Sequence, residues 1–271
     1  MRATLGRLFI YPVKSAAGIE CEQVQLTPQG FQHDREWMIV DAAGQFLTQR
    51  EDGRLALLST AIEGGRLRLS TPAAGGIAVD VDHGGASVDV QVWRAHCRAF
   101  DAGAQAAQFL SDFLGRPLRL VRFDESKPRL SAAEWTGGRE VATLFSDGYP
   151  LLVLSQGSID DLAARVGHAL PVQRFRPNIL LDGVEPYAED AAGVLESGEV
   201  RLQPTKACTR CAITTVDHVT GKRTGVEPLA TLKTYRFDRQ LHGVVLGRNA
   251  YAVAGAGGTL TRAAPVSIIA A

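Results

Sequence analysis

The feature that most constrains the fold is a series of short strand-like segments in the first third of the chain. We predict strands at residues 2–11, 20–27, 35–41, 55–61, 65–70, 77–81 and 87–93, since these segments alternate or are rich in Val, Ile, Thr and aromatic residues. Glycine-containing turns separate them, such as PQG at 28–30, EGG at 63–65 and AAGG at 73–76. Many short strands at this spacing indicate a β-barrel or a β-sandwich.

Three segments predict amphipathic helices instead. The first is GAQAAQFLSDFLG at 103–115, in which apolar residues recur at helical spacing. The second is SIDDLAARVG at 158–167, with Ser158 as its predicted N-cap, and the third is EPLATLKTYR at 227–236. Further strands are predicted at 178–182, 199–203 and 211–217. The expected fold class is therefore mainly β with a few helices (α+β).

Length and charge limit the organisation and the partners. A chain of 271 residues suggests two domains, and the polar, aperiodic segment 123–143 marks the predicted boundary between them. The 29 basic side chains balance the 29 acidic ones, so we expect neither nucleic acid nor a membrane as a partner. The N-terminus does not resemble a secretory signal, and the four cysteines do not form a disulfide framework. These observations predict a cytoplasmic protein with reduced thiols.

Two of the cysteines, Cys208 and Cys211, lie three residues apart in TKACTRCAITTVD. A zinc site is disfavoured because there is no second such pair and His218 is the only nearby histidine. A redox dithiol is disfavoured because the AITTV that follows predicts a strand rather than a helix start. Two structural thiols remain a plain alternative.

Cationic and amide side chains cluster at predicted strand ends. Lys14 and Ser15 follow a strand in YPVKS, Arg35 begins another in HDREW, and RFRPN contributes Arg174, Arg176 and Asn178. Each alone is typical of a solvated surface. Together they place donors suited to phosphate where loops converge. The residues therefore predict an anionic cofactor held beside a thiolate.

The chain resembles MOSC proteins that carry an N-terminal MOSC-associated β-barrel domain. This group includes the mitochondrial amidoxime-reducing components and the bacterial hydroxylaminopurine-detoxifying proteins. The resemblance covers nearly the whole chain. Its segments, in order, are IYPVKSAAG, HDREWMIVDAAGQFLTQRE, VWRAHCRAFDAGAQAAQFLSDFLGRPLRLVR, FSDGYPLLVLS, FRPNILLDG, KACTRCAITTVD and TGKRTGVEPLATLKTYR. It implies a β-barrel-like N-terminal domain over residues 1–125 and a MOSC β-barrel domain over residues 126–271.

The resemblance also implies a cofactor, a pterin-bound molybdenum (molybdopterin). Cys211 would ligate the metal, a role for which a thiolate is a suitable soft ligand. Asp147 of FSDGYP is the candidate for a further catalytic role, although a turn residue would look the same. The implied cofactor-binding residues are Lys14, Ser15, Arg35, Arg176, Asn178, Thr209 and Cys211.

The implied reaction is reductive removal of oxygen from N-hydroxylated compounds such as amidoximes, hydroxylamines and N-hydroxylated bases. The chain lacks a clustered-cysteine motif for an iron–sulfur centre, so electrons would come from a separate flavoprotein reductase, with or without a small electron carrier. The alternative is a non-catalytic carrier of the cofactor or of persulfide sulfur. The sequence departs from its relatives at Ala191 and Ala192, where tryptophan is usual, and at His218, where proline is common.

Overall fold

The fold is given by a computed structural model that describes residues 1–72 and 75–271. The turn predicted at 73–76 lies partly outside the described residues. The strands, in chain order, are β1 (Arg2–Ile10), β2 (Ile19–Cys21), β3 (Gln23–Thr27), β4 (Gly30–Phe31), β5 (Trp37–Val40), β6 (Ser59–Glu63), β7 (Arg66–Thr71), β8 (Gly75–Asp80), β9 (Ser87–Val92), β10 (Ala95–Asp101), β11 (Arg119–Phe123), β12 (Arg129–Leu130), β13 (Ala142–Thr143), β14 (Leu151–Ser155), β15 (Ile179–Asp182), β16 (Ala192–Ser197), β17 (Val200–Thr209), β18 (Phe237–Asp238), β19 (Gly243–Ala254), β20 (Thr259–Thr261) and β21 (Pro265–Ala270).

Helices are fewer and short. The α-helices are α1 (Ala104–Leu114), α2 (Ala133–Thr136), α3 (Gln156–Val166) and α4 (Leu229–Tyr235). Single turns of 3-10 helix lie at Gly53–Leu57, Val172–Arg174, Ala188–Ala191 and Ala212–Thr215. The α+β fold class, dominated by strands, is confirmed. No helix among the described residues has both the length and the apolar character needed to cross a membrane.

A closed barrel organises the second half of the chain. Its strands follow the order β14, β15, β1, β21, β16, β17 and β19, and β19 pairs with β14 to close the ring. Only β14 and β15 run parallel; the other neighbouring pairs are antiparallel. Closure leaves no barrel edge unpaired. Because β1 pairs with β15 and β21, the first strand of the chain belongs to this barrel. The domain division at residue 125 stays a prediction.

Side chains that alternate between the two faces of the strands form one core inside this barrel and a second core on its outer surface. In β15, Ile179 and Leu181 point into the barrel interior, while Leu180 faces outward. Neighbouring residues of a strand point to opposite faces, so one strand serves both cores. The outer core is covered by α3 and α4, which contribute Leu162 and Leu232. Phe175, which lines the pocket described below, belongs to the same outer core.

The N-terminal region adds a second β layer. A four-stranded sheet runs in the order β5, β11, β10, β9, and α1 packs its Phe109 and Leu110 against one face. The opposite face of this sheet packs against Leu144 and Phe145, which lead into β14. A separate three-stranded sheet contains β6, β7 and β8. The N-terminal sheet is therefore in direct contact with the segment that enters the barrel.

Three local predictions from the sequence are wrong. Helix α3 begins three residues earlier than predicted, because Ser155 rather than Ser158 is its N-cap and accepts a hydrogen bond from the Ser158 backbone N–H at 3.2 Å. Residues 55–61 begin as a 3-10 turn before β6. The predicted strand at 211–217 is replaced by the 3-10 turn Ala212–Thr215. The strand argument used against a redox dithiol therefore fails, although a single 3-10 turn is not the long helix start that such sites use.

Candidate cofactor site

One pocket collects every site residue predicted from the sequence. It lies where the segment after β1, the segment before β14, the start of β15 and the end of β17 meet. Its lining includes the predicted residues Lys14, Ser15, Arg35, Asp147, Arg176, Asn178, Thr209 and Cys211. The sequence places these residues up to about two hundred positions apart, so their convergence is a product of the barrel topology.

Three of these residues have a backbone conformation that is unusual for residues with a Cβ. The φ angles are 67° at Ser15, 51° at Arg35 and 55° at Arg176. Left-handed backbone costs free energy for non-glycine residues and persists only where the surrounding structure imposes it. Here the Arg35 backbone N–H donates to the Tyr11 carbonyl at 2.8 Å, which fixes the turn. The backbone thus holds these three residues at the pocket wall in one fixed orientation.

Two guanidinium groups pack on one buried aromatic ring. The Arg35 and Arg176 guanidinium carbons lie 4.3 Å and 4.2 Å from the centroid of Tyr11. Burial and the neighbouring charge of Arg35 lower the pKa of Arg176 to about 10. Arg176 therefore remains cationic at neutral pH, and its guanidinium lies beside that of Arg35 on the same ring. Such a pair favours an anionic ligand over a neutral one.

Several arginine donors around the pocket have no partner among the described residues. Among residues 1–72 and 75–271, the buried Nε of Arg174, Nη2 of Arg176 and Nε of Arg210 make no hydrogen bond. Buried polar groups are nearly always paired in folded proteins, so unpaired guanidinium N–H groups indicate a missing acceptor. We call Lys14, Arg35, Arg174 and Arg176 the anion cradle.

Asn178 serves the cradle by holding it in place. Its Oδ1 accepts hydrogen bonds from Arg35 Nη1 at 2.9 Å and from the Leu152 backbone N–H at 3.1 Å. Its Nδ2 donates to the Phe9 carbonyl at 3.1 Å. The amide therefore connects β1, β14 and Arg35 while it is buried in the wall. Its acceptor oxygen is fully used, and the buried Asp34 carboxylate competes with any ligand for the remaining N–H.

Lys14 and Asp147 form an ion pair at the pocket rim. Lys14 Nζ donates to Asp147 Oδ1 at 2.6 Å and to the Phe145 carbonyl at 2.8 Å. Burial lowers the pKa of Lys14, although the charge of Asp147 opposes the shift. The Asp147 side chain is 67% exposed. Desolvation raises the pKa of its carboxyl, but the Lys14 charge and hydrogen bond outweigh this effect and bring the pKa below its usual range. Trp93 Nε1 donates to the same Oδ1 at 3.0 Å. Asp147 is thus an ionised carboxylate at neutral pH.

The two cysteines occupy different local structures. Cys208 lies in the last residues of β17, and its sulfur accepts from Arg210 Nη1 at 3.0 Å. Cys211 is the N-cap of the following 3-10 turn, and its sulfur accepts from Arg50 Nη1 at 3.6 Å. Both thiols are partly exposed and line the pocket. We call Arg50, Cys208, Thr209, Arg210 and Cys211 the thiol side of the pocket.

A chelating metal site has no support in this arrangement. Within the described part of the chain, no three His, Cys, Asp or Glu side chains come together in a group that could hold a metal ion. A metal at this pocket would therefore need ligands brought by a cofactor in addition to one or both of the protein thiols. Thr209, between the cysteines, is exposed and lines the same pocket.

The sequence interpretation missed Tyr11, Arg50 and Arg210. Arg210 lies between the two cysteines of the CTRC motif, so the sequence already indicates that it is close to the thiols. Tyr11 precedes Pro12 in the motif that contains Lys14, but the sequence does not distinguish a tyrosine in the hydrophobic core from one that supports a binding site. Arg50 carries no local signal, because its position at Cys211 depends on contacts between the N-terminal and barrel regions.

The departures from the family pattern lie in two different places. His218 lies near the cradle, where burial and the charges of Arg176 and Arg174 lower its pKa to about 4. Its imidazole is therefore neutral at neutral pH. Ala191 ends a 3-10 turn and Ala192 is buried at the start of β16. Neither alanine lines the pocket, so they do not widen it directly.

Comparison with known proteins agrees with this architecture. Residues 2–117 match the MOSC N-terminal beta barrel domain and residues 140–262 match the MOSC domain. The mitochondrial amidoxime-reducing component 1 of Mus musculus is 35% identical over 86% of this chain and 71% of its own length. The protein of the same name from Homo sapiens is 34% identical over 89% of this chain and 75% of its own length. With both domains matched in order and relatives aligned over most of their length, the chain belongs to the MOSC-domain family that carries the N-terminal MOSC β-barrel domain.

Proposed function

We propose that the protein is a molybdenum-cofactor-dependent reductase of N-hydroxylated compounds. The observation that carries the proposal is the set of buried, unpaired guanidinium donors on Arg174, Arg176 and Arg210 beside the Cys211 thiol. One wall of the pocket offers cations for a phosphate, and the other offers a soft ligand for a metal. A pterin cofactor that carries both a phosphate and a metal requires this combination of chemistries in one pocket.

The residues fit such a group on grounds of charge and burial. Arg35 Nη1 already donates to the buried Asp34 carboxylate at 2.5 Å. The unpaired Nη2 of Arg176 is therefore the donor of this pair that an anionic ligand would satisfy. The arginine fork binds phosphate oxygens in pairs, and Lys14 and the Ser15 hydroxyl suit a single oxygen. The left-handed backbone at Ser15, Arg35 and Arg176 fixes these groups before any ligand arrives. The cradle would therefore bind the cofactor's phosphate with little loss of side-chain entropy.

The names of the relatives support the substrate class. The amidoxime-reducing components suggest that an amidoxime, or a compound with a similar N–O bond, is reduced at this pocket. When bound, the cofactor would supply the two-electron chemistry that removes the oxygen atom. Cys211 would hold the metal at the open end of the pocket. Asp147 and Lys14 would fix the charge of the rim, and Arg50 would add a cation at the thiol side.

Metal and pterin analysis tests the cofactor assignment directly. The full chain is purified from a host that makes the molybdenum cofactor, and molybdenum and the oxidised pterin are quantified. We expect close to one of each per chain. A protein without either component, or with zinc in their place, would contradict the proposal. Turnover of an amidoxime with an artificial electron donor then separates a reductase from a carrier that binds the cofactor without reaction.

The electron source is a second test of the proposed function. The chain carries neither a dinucleotide fingerprint nor a clustered-cysteine motif. We therefore expect almost no amidoxime reduction with a reduced nicotinamide alone. Addition of a flavoprotein reductase, with or without a small electron carrier, restores the reaction. Rapid turnover by the purified chain with the reduced nicotinamide alone would show that no separate electron-donor protein is needed, which contradicts the proposal. The cytoplasmic location stays a prediction.

A further inference from the structure

Arg50 reaches the thiol side from a tightly held turn of the N-terminal region. Its backbone N–H donates to Thr48 Oγ1 at 3.2 Å, and its carbonyl accepts from Arg223 Nη2 at 2.5 Å. The preceding residue, Gln49, is buried and donates to the Ser15 carbonyl at 2.6 Å. The turn is thus fixed to Ser15 on one side and to Arg223, in the segment after Cys211, on the other.

The Arg50 side chain is fixed as well. Its guanidinium carbon lies 4.4 Å from the centroid of Trp93, so the planar group rests on an indole ring. The ring packs against Phe46, with centroids 5.1 Å apart, and its Nε1 is bound to Asp147. Stacking of this kind restricts a flexible side chain without consuming its hydrogen-bond donors. Arg50 is therefore held at the sulfur of Cys211 by contacts on its face.

The donors of Arg50 are largely free, as are those of Arg176, whose guanidinium makes one hydrogen bond among the described residues, to the Ala16 carbonyl. Within residues 1–72 and 75–271, the bond to Cys211 at 3.6 Å is the only hydrogen bond that its guanidinium makes. By contrast, Arg35 donates to Asn178 and to the Arg176 carbonyl, and Arg210 donates to Cys208 and to the Phe175 carbonyl. A guanidinium has five N–H donors in one plane, so several remain for a ligand.

We propose that Arg50, supported by Trp93, binds and orients the oxygen-bearing group of the substrate next to Cys211. This inference rests on the proposed function for its substrate, because the N–O group must lie at the thiol side for reduction. The fork donates hydrogen bonds to the N–O oxygen, and its charge favours neutral or anionic groups over cationic ones. Arg50 is thus separate in task from the anion cradle, which binds the cofactor's phosphate.

Steady-state kinetics of Arg50→Met and Arg50→Lys test the role in the loaded enzyme. Loss of charge-assisted hydrogen bonds to a bound oxygen lowers kcat/KM for an amidoxime by roughly ten- to hundredfold in Arg50→Met. We expect the change mainly in KM, because the interaction is made with the bound substrate and molybdenum content stays at the wild-type level. Arg50→Lys recovers part of the loss, since it keeps the charge but not the fork. The control is Arg2→Met, the same loss of charge at the far end of β1.

A second measurement needs neither metal nor turnover. The full chain from a host without the cofactor is treated with iodoacetate or iodoacetamide, and the alkylation rate of Cys211 is followed by peptide mass. Both reagents react with the same thiolate, so the ratio of the two rates cancels the extent of thiol ionisation. The ratio reports whether a carboxylate is drawn to the sulfur. Removal of a cation close to it lowers the ratio by about fivefold in Arg50→Met, with little change in Arg50→Lys.

The outcomes separate this inference from the proposed function. An unchanged KM in loaded Arg50→Met, or an unchanged alkylation ratio, overturns the role of Arg50. A loss of molybdenum from this variant, with a normal KM in the loaded fraction, also overturns it, because Arg50 would then belong to the cradle. Wild-type protein that binds no molybdenum overturns the proposed function instead, while the alkylation ratio still measures the attraction of Arg50 for a carboxylate.

Discussion

The two sides of the pocket are built on different principles. In the anion cradle, Lys14 and Arg174 are almost fully buried, and Arg35 and Arg176 pack on the buried ring of Tyr11. On the thiol side, Cys208, Cys211 and Arg50 are only partly buried, and Thr209 is exposed. One wall is fixed by packing and backbone conformation, while the other remains open to solvent.

The difference has a physical reason. A group that must hold a cofactor permanently gains from rigid donors, because the entropy of ordering them is already lost on folding. A group that must admit and release a substrate needs exposure and free donors. The left-handed backbone at Ser15, Arg35 and Arg176 lies entirely on the first side. We therefore expect substitutions in the anion cradle to lower the amount of bound cofactor. Substitutions on the thiol side should lower the rate of substrate reduction while the amount of bound cofactor stays the same.

The largest effect is expected at the metal ligand. Cys211→Ser should abolish amidoxime reduction, because a hydroxyl is a harder and poorly ionised replacement for a thiolate. Pterin content should remain substantial, since the phosphate contacts belong to the other wall. The matched control is Cys208→Ser, three residues away, which should keep much of the activity and cost at most about 1–2 kcal/mol of stability. Activity that persists in Cys211→Ser and disappears in Cys208→Ser would assign the metal to the other cysteine.

The next effect concerns the cradle itself. Arg176→Ala removes a guanidinium that is buried and has one unpaired donor. Loss of a charged hydrogen bond to a desolvated phosphate costs about 2–5 kcal/mol of cofactor binding, so occupancy should fall sharply at low cofactor concentration. Lys14→Ala should act in the same direction. Pterin fluorescence after oxidation measures occupancy, and circular dichroism verifies the fold. Full occupancy in both variants would remove the cradle from the cofactor site.

The sequence predicted the individual helices and strands better than the way the strands pair. Helix α1 and most strands follow from local periodicity, which reads one element at a time. The placement of β1 inside the barrel depends on pairing with β15, far along the chain, and no local pattern encodes that choice. The error at 211–217 has a local cause. Thr214 and Thr215 are β-branched, yet their hydroxyls donate back to the carbonyls of Cys211 and Ala212 and close a 3-10 turn.

The site was predictable to the extent that its residues stood in motifs. The cradle and Cys211 were found because donors lay next to strand ends and matched a family pattern. Asn178 was predicted as a cofactor contact, and its side chain is mostly occupied by Arg35 and two backbone groups. Arg50 was not found, because an arginine in a turn is typical of a solvated surface until the fold places it against a thiol.

Asn178 gives a smaller effect that separates support from contact. Asn178→Ala leaves the Leu152 N–H and the Phe9 carbonyl without their amide partner and removes one of the hydrogen bonds of Arg35. Unpaired buried groups of this kind cost about 2–3 kcal/mol of unfolding free energy. We expect a lower midpoint in urea unfolding of the cofactor-free chain as well as lower occupancy. Asn249→Ala is the control, because that amide lines the same pocket and, in the part of the chain that the structure describes, bonds only to the Lys206 carbonyl. Equal losses in both would make Asn178 an ordinary wall residue.

The smallest effect is expected at Asp147, which joins the two sides by accepting from Lys14 and Trp93. The charge of Lys14 lowers the pKa of this carboxyl, so it is ionised at neutral pH and is a poor proton donor. Asp147→Asn keeps an acceptor oxygen, and kcat should fall by less than about tenfold, whereas loss of a general acid costs about a hundredfold or more. A larger fall in kcat would make Asp147 a proton donor after all.

The pH dependence of stability provides the second half of this test. A carboxyl whose pKa is lower in the folded state stabilises the protein above its unfolded pKa, and that stability is lost as pH falls through the folded pKa. The carboxylate is two-thirds exposed, so solvent screening limits the difference between wild type and Asp147→Asn at neutral pH to about 1 kcal/mol or less. Urea unfolding at a series of pH values should show this difference shrinking as the solution becomes more acidic than pH ~4. A difference that stays constant down the acid range would mean that the contribution of Asp147 comes from its shape and hydrogen bonds and that its charge contributes nothing.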